Sequence, residues 1–199
     1  MKRKIDFLLC ILFIAVFTLD GCKNHPKTKN YLDTYQSEVM LKLFNFKTSN
    51  DLIIKIPEIN ADCKIIEIID IDSTHIAKGN YAKDEEKGIV FIDYLKILAL
   101  NESLEDLIYF VIPFTVSNQG SGVFNYIGLF ELNTKEAKIK HSNSKFLGDR
   151  IKLESVKYDG NKLIQVQIKV HSKEQSMSAS PSETKEISFI IEKNKLQNN

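Results

Sequence analysis

Too few cysteines are present to build a disulfide framework. There are three: Cys10 lies inside an apolar stretch and Cys22 closes it, which leaves Cys63 with no partner for an intramolecular bridge. The neighbours Ile65 and Ile66 mark Cys63 as a buried, inert thiol. A surplus of charge is also missing, with 27 basic against 26 acidic side chains. That balance excludes the strongly basic footprint of a nucleic-acid binder. His25, His75, His141 and His171 are scattered, and no H-x-x-x-H pair offers zinc a site. Asp70-Ile71-Asp72 opens like a calcium loop but lacks the glycine at the sixth position and the closing glutamate. Tryptophan is absent and proline occurs four times. No tract is low in complexity, and no period repeats.

The longest apolar run, Phe7 to Leu19, is shorter than the ~20 residues of a membrane span. Lys2, Arg3 and Lys4 precede it, and Leu19-Asp20-Gly21-Cys22 ends it, which is the order of a secretory signal peptide. Those four residues resemble a bacterial lipobox, with Leu at −3, Gly at −1 and Asp20 where a small residue is usual. The resemblance implies cleavage before Cys22 and attachment of diacylglyceryl and amide-linked chains to that cysteine. Each buried methylene contributes ~0.8 kcal/mol, so two or three chains anchor firmly where one would not. Membrane lipid held through Cys22 is therefore the expected partner, with the domain in the cell envelope. Lys23 stands where lipoproteins retained in the inner membrane carry Asp, which implies the outer membrane, facing the periplasm. Removing residues 1–21 leaves 24 basic and 24 acidic side chains, and nucleic acid stays excluded as a partner.

Three segments follow: a signal peptide over 1–21, the lipidated cysteine and a polar tether over 22–36, and one β-rich domain over 37–199. The domain is long enough for a single hydrophobic core. Val39, Met40, Leu43 and Phe44 recur at helical spacing after Ser37, an N-cap residue, so one short helix is expected over 37–46. Beyond it, bursts of Ile, Val, Phe and Tyr between turn residues read as strands. They are expected at Leu52–Ile56, Lys64–Ile69, Ile89–Leu98, Leu107–Val116, Val123–Leu132, Ile151–Lys157, Leu163–Val170 and Glu186–Ile191. The fold class is mostly β, an antiparallel sheet or sandwich with that one N-terminal helix. Leu107 to Val116 is nearly all apolar and belongs at a sheet centre, although Pro113 then calls for a bulge or an edge. Asp159-Gly160 is the hairpin signal of a type I′ turn.

From Leu107 to Leu196 the chain resembles a group of bacterial exported proteins and lipoproteins. The shared marks are an apolar strand, Gly120-Ser121-Gly122-Val123-Phe124-Asn125-Tyr126, then Leu147-Gly148-Asp149-Arg150, and a closing loop at Ser180-Pro181-Ser182. Relatives carry an Asp/Gly-rich turn where this chain has Leu100 to Asp106 without glycine. The group implies a surface-tethered β domain and supplies no reaction.

Catalytic signatures fail on spacing. Gly120-Ser121-Gly122 lacks the glycines two residues either side that a nucleophile elbow needs. Ser142 to Lys145 and Ser182 to Lys185 match S-x-x-K without an apolar helix or a Lys-Thr-Gly partner. No catalytic residue, metal ligand or cofactor is assigned. The residues open to a binding role are Ser121, Gly122, Tyr126, Asp149 and Arg150. Arg150 offers a fork for a carboxylate or phosphate, or else pairs locally while Asp149 accepts backbone N–H groups. Ser121 and Arg150 each precede a strand, and antiparallel neighbours would put them at opposite sheet ends. The leading function is a membrane-anchored lipoprotein in a non-catalytic binding or envelope-structural role. The alternatives are an enzyme whose site converges only in space, and an inhibitor of a cell-wall lytic enzyme. For the latter, Ser121-Gly122 with Tyr126 resembles the Ser-Gly loop and Tyr of small β-barrel lysozyme inhibitors.

Overall fold

The computed structural model describes residues 51–71, 74–100 and 106–199. The chain divides into two units, Met1–Tyr31 and Leu32–Asn199, and the described residues belong to the second. Cys22, the tether and the helix expected at 37–46 lie outside the described residues. Among those described, the protein is mostly β, with antiparallel strands throughout. No described helix is long and apolar enough to cross a membrane.

Three sheets form. The first is a hairpin of β1 (Ile53–Ile56) and β2 (Ala61–Lys64). The second holds seven strands: β3 (Glu67–Ile71), β4 (Thr74–Lys83), β5 (Glu86–Asp93), β6 (Leu98–Ala99), β7 (Leu107–Asn118), β8 (Val123–Asn133) and β9 (Lys138–Asp149). Its order is β3-β4-β5-β7-β8-β9, with β6 pairing β7 beyond the end of β5. The third is the meander β10 (Lys152–Tyr158), β11 (Leu163–Val170), β12 (Glu183–Glu192) and β13 (Lys195–Asn198).

Period-two alternation explains the layering. Phe110, Ile112, Phe114 and Val116 of β7 pack with Tyr126, Phe130 and Leu132 of β8 against Ile54, Ile56, Ala61 and Cys63 of the hairpin. The intervening Val111, Ile127 and Leu129 pack instead against Ile164, Val166, Ile168, Phe189 and Leu196 of the meander. Strands β7 and β8 are therefore covered on both faces, which is why their sequences read as continuous apolar runs. At Gly128 the sheet needs a missing side chain. A Cβ there would sit 2.7 Å from the Phe130 ring and 3.0 Å from Nε2 of His141.

Several expectations need correction. Pro113 sits inside β7, opposite Ile127 of β8, with neither bulge nor edge. On the other side of β7, β5 pairs as far as Phe114 and β6 starts at Val111, so the ladder opens at Ile112 and Pro113 and a missing donor is tolerated. The strand expected over Ile89–Leu98 is broken at its centre, because Asp93 accepts from the Leu95 N–H and caps a 3-10 turn at Tyr94–Lys96. Lys64–Ile69 spans the end of β2 and the start of β3. Strands β4, β9 and β13 lie outside every expected strand. The hairpin between β10 and β11 forms, but it is not a two-residue type I′ turn. Gly160 alone in it has positive φ, at 83°, and Asp159 pairs across to Leu163, its N–H donating to that carbonyl. Asp159 Oδ1 accepts the N–H groups of Asn161, Lys162 and Leu163 at 2.8, 2.9 and 3.0 Å. A side-chain cap thus closes a longer loop.

Candidate functional site

Because β9 runs antiparallel beside β8, its last residue meets the first residues of its neighbour: Asp149 lies opposite Phe124. The loop before β8 and the corner after β9 therefore share one sheet end, contrary to the separation expected for Ser121 and Arg150. That expectation treated the segment before Ile151 as a loop, whereas it is the end of a strand. Arg150 donates from Nε and Nη2 to the Ser121 carbonyl at 3.0 and 2.8 Å, and from Nη2 to Ser121 Oγ at 3.2 Å. Its own N–H donates to the Val123 carbonyl at 2.8 Å. Asp149 Oδ1 accepts the Val123 N–H at 2.8 Å, and its carboxylate lies 3.7 Å from Arg150 Nη2. Arg150 holds φ at 48°. Such a left-handed non-glycine residue costs on the order of 1–3 kcal/mol, and this network offsets it. Inside the loop, Asn118 Oδ1 accepts the Gly120 N–H at 3.0 Å.

Gly122 lies beneath the Phe124 ring, where a Cβ would collide with it. Tyr126 does not join the corner. It is 2 % exposed, stacked on Phe114 with centroids 5.2 Å apart and tilted against Phe146 at 5.3 Å. Burial, reinforced by a hydrogen bond to Glu58, raises its hydroxyl well above the ordinary range. Ser121, Asp149 and Arg150 thus come together on the surface with Gly122 beside them, while Tyr126 belongs to the core.

Next to this corner a cleft of about 350 Å³ opens between the seven-stranded sheet and the start of β10. Half-buried Ile76 and Phe91 are part of its apolar lining, and Asp93, Lys96, Thr115 and Asn125 are part of its polar lining. Thr115 Oγ1 donates to Asn125 Oδ1 at 3.0 Å, and Asn125 Nδ2 donates to the Val123 carbonyl at 2.9 Å. Lys96 Nζ lies 3.4 Å from both Asp93 Oδ2 and the Leu153 carbonyl. Sequence reasoning missed the cleft, because its walls come from β4, β5, β7, β8, β9, β10 and the Tyr94–Lys96 turn, and no local motif joins them.

It also missed the one buried polar side chain among the described residues, His141 at 7 % exposure. Its ring stacks on Phe130 at 4.2 Å. Nδ1 accepts the Lys55 backbone N–H at 2.8 Å, and Nε2 lies 2.7 Å from Ser144 Oγ. Since Nδ1 must accept, the neutral ring carries its proton on Nε2. Cys63 is fully buried and burial pushes its thiol up to about 11, so it is the unreactive thiol its neighbours suggested. Among the described residues no three His, Cys, Asp or Glu side chains gather as a metal site. Compared with known proteins, the chain matches no family model, no curated protein and no solved structure.

Proposed function

We propose that the chain is a lipoprotein of the bacterial cell envelope, anchored through Cys22 in the outer membrane and facing the periplasm. Its β domain binds a partner without transforming it. The observation that carries the non-catalytic reading is how the polar side chains of the corner are used. The Arg150 fork holds the Ser121 carbonyl, and Asp149 holds the Val123 N–H. Both fix backbone in place, and the one hydroxyl at the corner, Ser121 Oγ, accepts from the Arg150 guanidinium, which is no base. The surface we assign to a partner is the cleft beside the corner, whose volume lies within the usual range of ligand pockets. The lytic-enzyme inhibitor gains no support from Tyr126, whose ring is buried against Phe114 and Phe146.

Two measurements test this. In cells fed an alkyne fatty acid, the chain should be labelled and should sediment with outer membrane, and Cys22→Ser should abolish both. Equal labelling of the two forms would remove the anchor. A photo-crosslinking residue placed at Phe91, in the cleft lining, should capture a discrete adduct in cells. The same residue at Lys157, on the exposed side of β10, should not. Indistinguishable patterns from the two positions would overturn binding through the cleft.

A further inference from the structure

The β1–β2 hairpin is a sheet of its own, laid over the aromatic face of β7 and β8. Among the described residues it is joined to the seven-stranded sheet by hydrogen bonds from the Lys55 N–H to His141 Nδ1, from Lys83 Nζ to the Asn60 carbonyl at 3.4 Å, and between the Tyr126 hydroxyl and Glu58 in the hairpin turn. Just past β2, the Ile66 N–H donates to the Lys78 carbonyl at 3.0 Å. Two-stranded hairpins are marginal alone, and such units open independently of the rest of a fold. We propose that His141 is an acid-sensitive latch: a proton on its Nδ1 unfastens the β1–β2 hairpin from β9 and opens the face beneath it, while the four-stranded meander stays folded.

The chemistry follows from the tautomer. A second ring proton turns the Nδ1 acceptor into a donor aimed at the Lys55 N–H donor, in a site walled by Phe114 and Phe130. No rotation of the ring rescues both contacts, because Nε2 faces Ser144. The charged group acting on the ring from β1 is Lys55, which repels the imidazolium. From β7 and β8 the neighbours are Phe114, Phe130 and Gly128. Within β9, the Asn143 carbonyl favours the proton, and Lys140 pairs in register with Glu131 next to His141. Burial outweighs the Asn143 contribution and holds the ring down at about 4, against an ordinary 6.5.

The sign is that of a depressed histidine. The open state takes up the proton from about pH 6.5 downward and the closed state only near 4, so acid favours opening through that window. The displacement limits the effect to roughly two orders of magnitude in the opening equilibrium. Leu52, Ile54, Ile56, Ala61, Cys63 and Ile65 still bury their side chains in the closed state. Opening therefore remains a minority event, visible to exchange and not as a new resting structure.

Cys63 is the probe, because it lies on the inner side of the hairpin with no exposed surface. The full chain with Cys10→Ser and Cys22→Ser leaves it as the remaining thiol. Its reaction with 4,4′-dithiodipyridine, which works in acid, is normalised at each pH to the same chain in denaturant. Between pH 7 and pH 4 that ratio should rise by about two orders of magnitude, and His141→Gln should hold the rise to a few-fold. A flat ratio, or a parallel rise in His141→Gln, would overturn the latch. Amide exchange of the unsubstituted chain decides the matter even where that variant fails to fold. The amides of Ile54 and Cys63 should lose protection at a higher pH than those of Ile164 and Val166. Simultaneous loss would mean global unfolding and no latch.

Discussion

His141 and Asn143 are two residues apart in β9, yet they face opposite sides of the sheet. His141 lies opposite Phe130 and Asn143 opposite Leu129, so Ser142 between them is an extra residue. Without that bulge, period two would put both on one face. With it, each joins a different layer. His141 holds the hairpin through Lys55, and Asn143 holds the meander, accepting from the Leu196 N–H at 2.9 Å and donating to its carbonyl at 3.0 Å. A polar run with no strand signature therefore fastens the three sheets together.

Asn143→Ala should detach β13 from β9. Two hydrogen bonds disappear and the Leu196 backbone groups lose their partner, which costs about 1–3 kcal/mol. Urea unfolding would read the loss, and amide exchange should place it first at Leu196. Asn143→Asp keeps the acceptor and drops the donor, so it should fall between alanine and the original. Equal stability of all three forms would mean that the contact contributes nothing.

Deleting Ser142 tests the bulge directly. Every residue of β9 on one side of the deletion would face the wrong layer, so His141 or Asn143 must lose its contact. Loss exceeding about 4 kcal/mol, or failure to fold, is expected, because a one-residue slip moves a whole set of side chains. Ser142→Ala keeps the spacing and should stay within about 0.5 kcal/mol. Circular dichroism with urea titration of both forms separates spacing from side-chain chemistry.

Legibility in the sequence followed apolar periodicity. Strands β7, β8, β10 and β11 are readable, because the first two are buried on both faces, β11 alternates cleanly and β10 alternates on either side of a bulge between Leu153 and Ser155. Strand β4 hides behind Lys78, Gly79 and Asn80, and β9 behind Ser142, Asn143 and Ser144. In both, neighbouring strands supply the order that local propensity does not. The site suffered in turn. The local pairing of Asp149 and Arg150 is legible, but their meeting with Ser121 depends on β9, whose polar sequence carries no strand signal. His141 gave no signal, since burial is a property of the assembled layers.

Arg150→Lys should loosen the 118–122 loop without unfolding the domain. One ammonium cannot reproduce the Nε and Nη2 fork on the Ser121 carbonyl. The network is largely solvent-exposed, so the stability change should stay below about 1 kcal/mol. Limited proteolysis should instead show faster cleavage between Asn118 and Val123. Unchanged cleavage would assign the loop's order to Asp149 and Asn118.

The loop between β10 and β11 separates a pH-dependent contribution from a pH-independent one. Three backbone N–H groups on Asp159 Oδ1 hold its carboxyl below the usual carboxylate range. A depressed carboxyl stabilises the fold above that range and loses its contribution as pH falls through it towards the folded value. The melting-temperature gap between the original and Asp159→Ala should therefore be widest at pH 7 and narrow below pH 4. Gly160 acts through torsion alone, because its φ is 83° and a Cβ there would meet nothing within 4 Å. Gly160→Val should cost about 1–3 kcal/mol, the range for a strained backbone position, at either pH. A Gly160→Val gap that closed in acid as the Asp159→Ala gap does would mean that the glycine works only by presenting the loop N–H groups to the carboxylate.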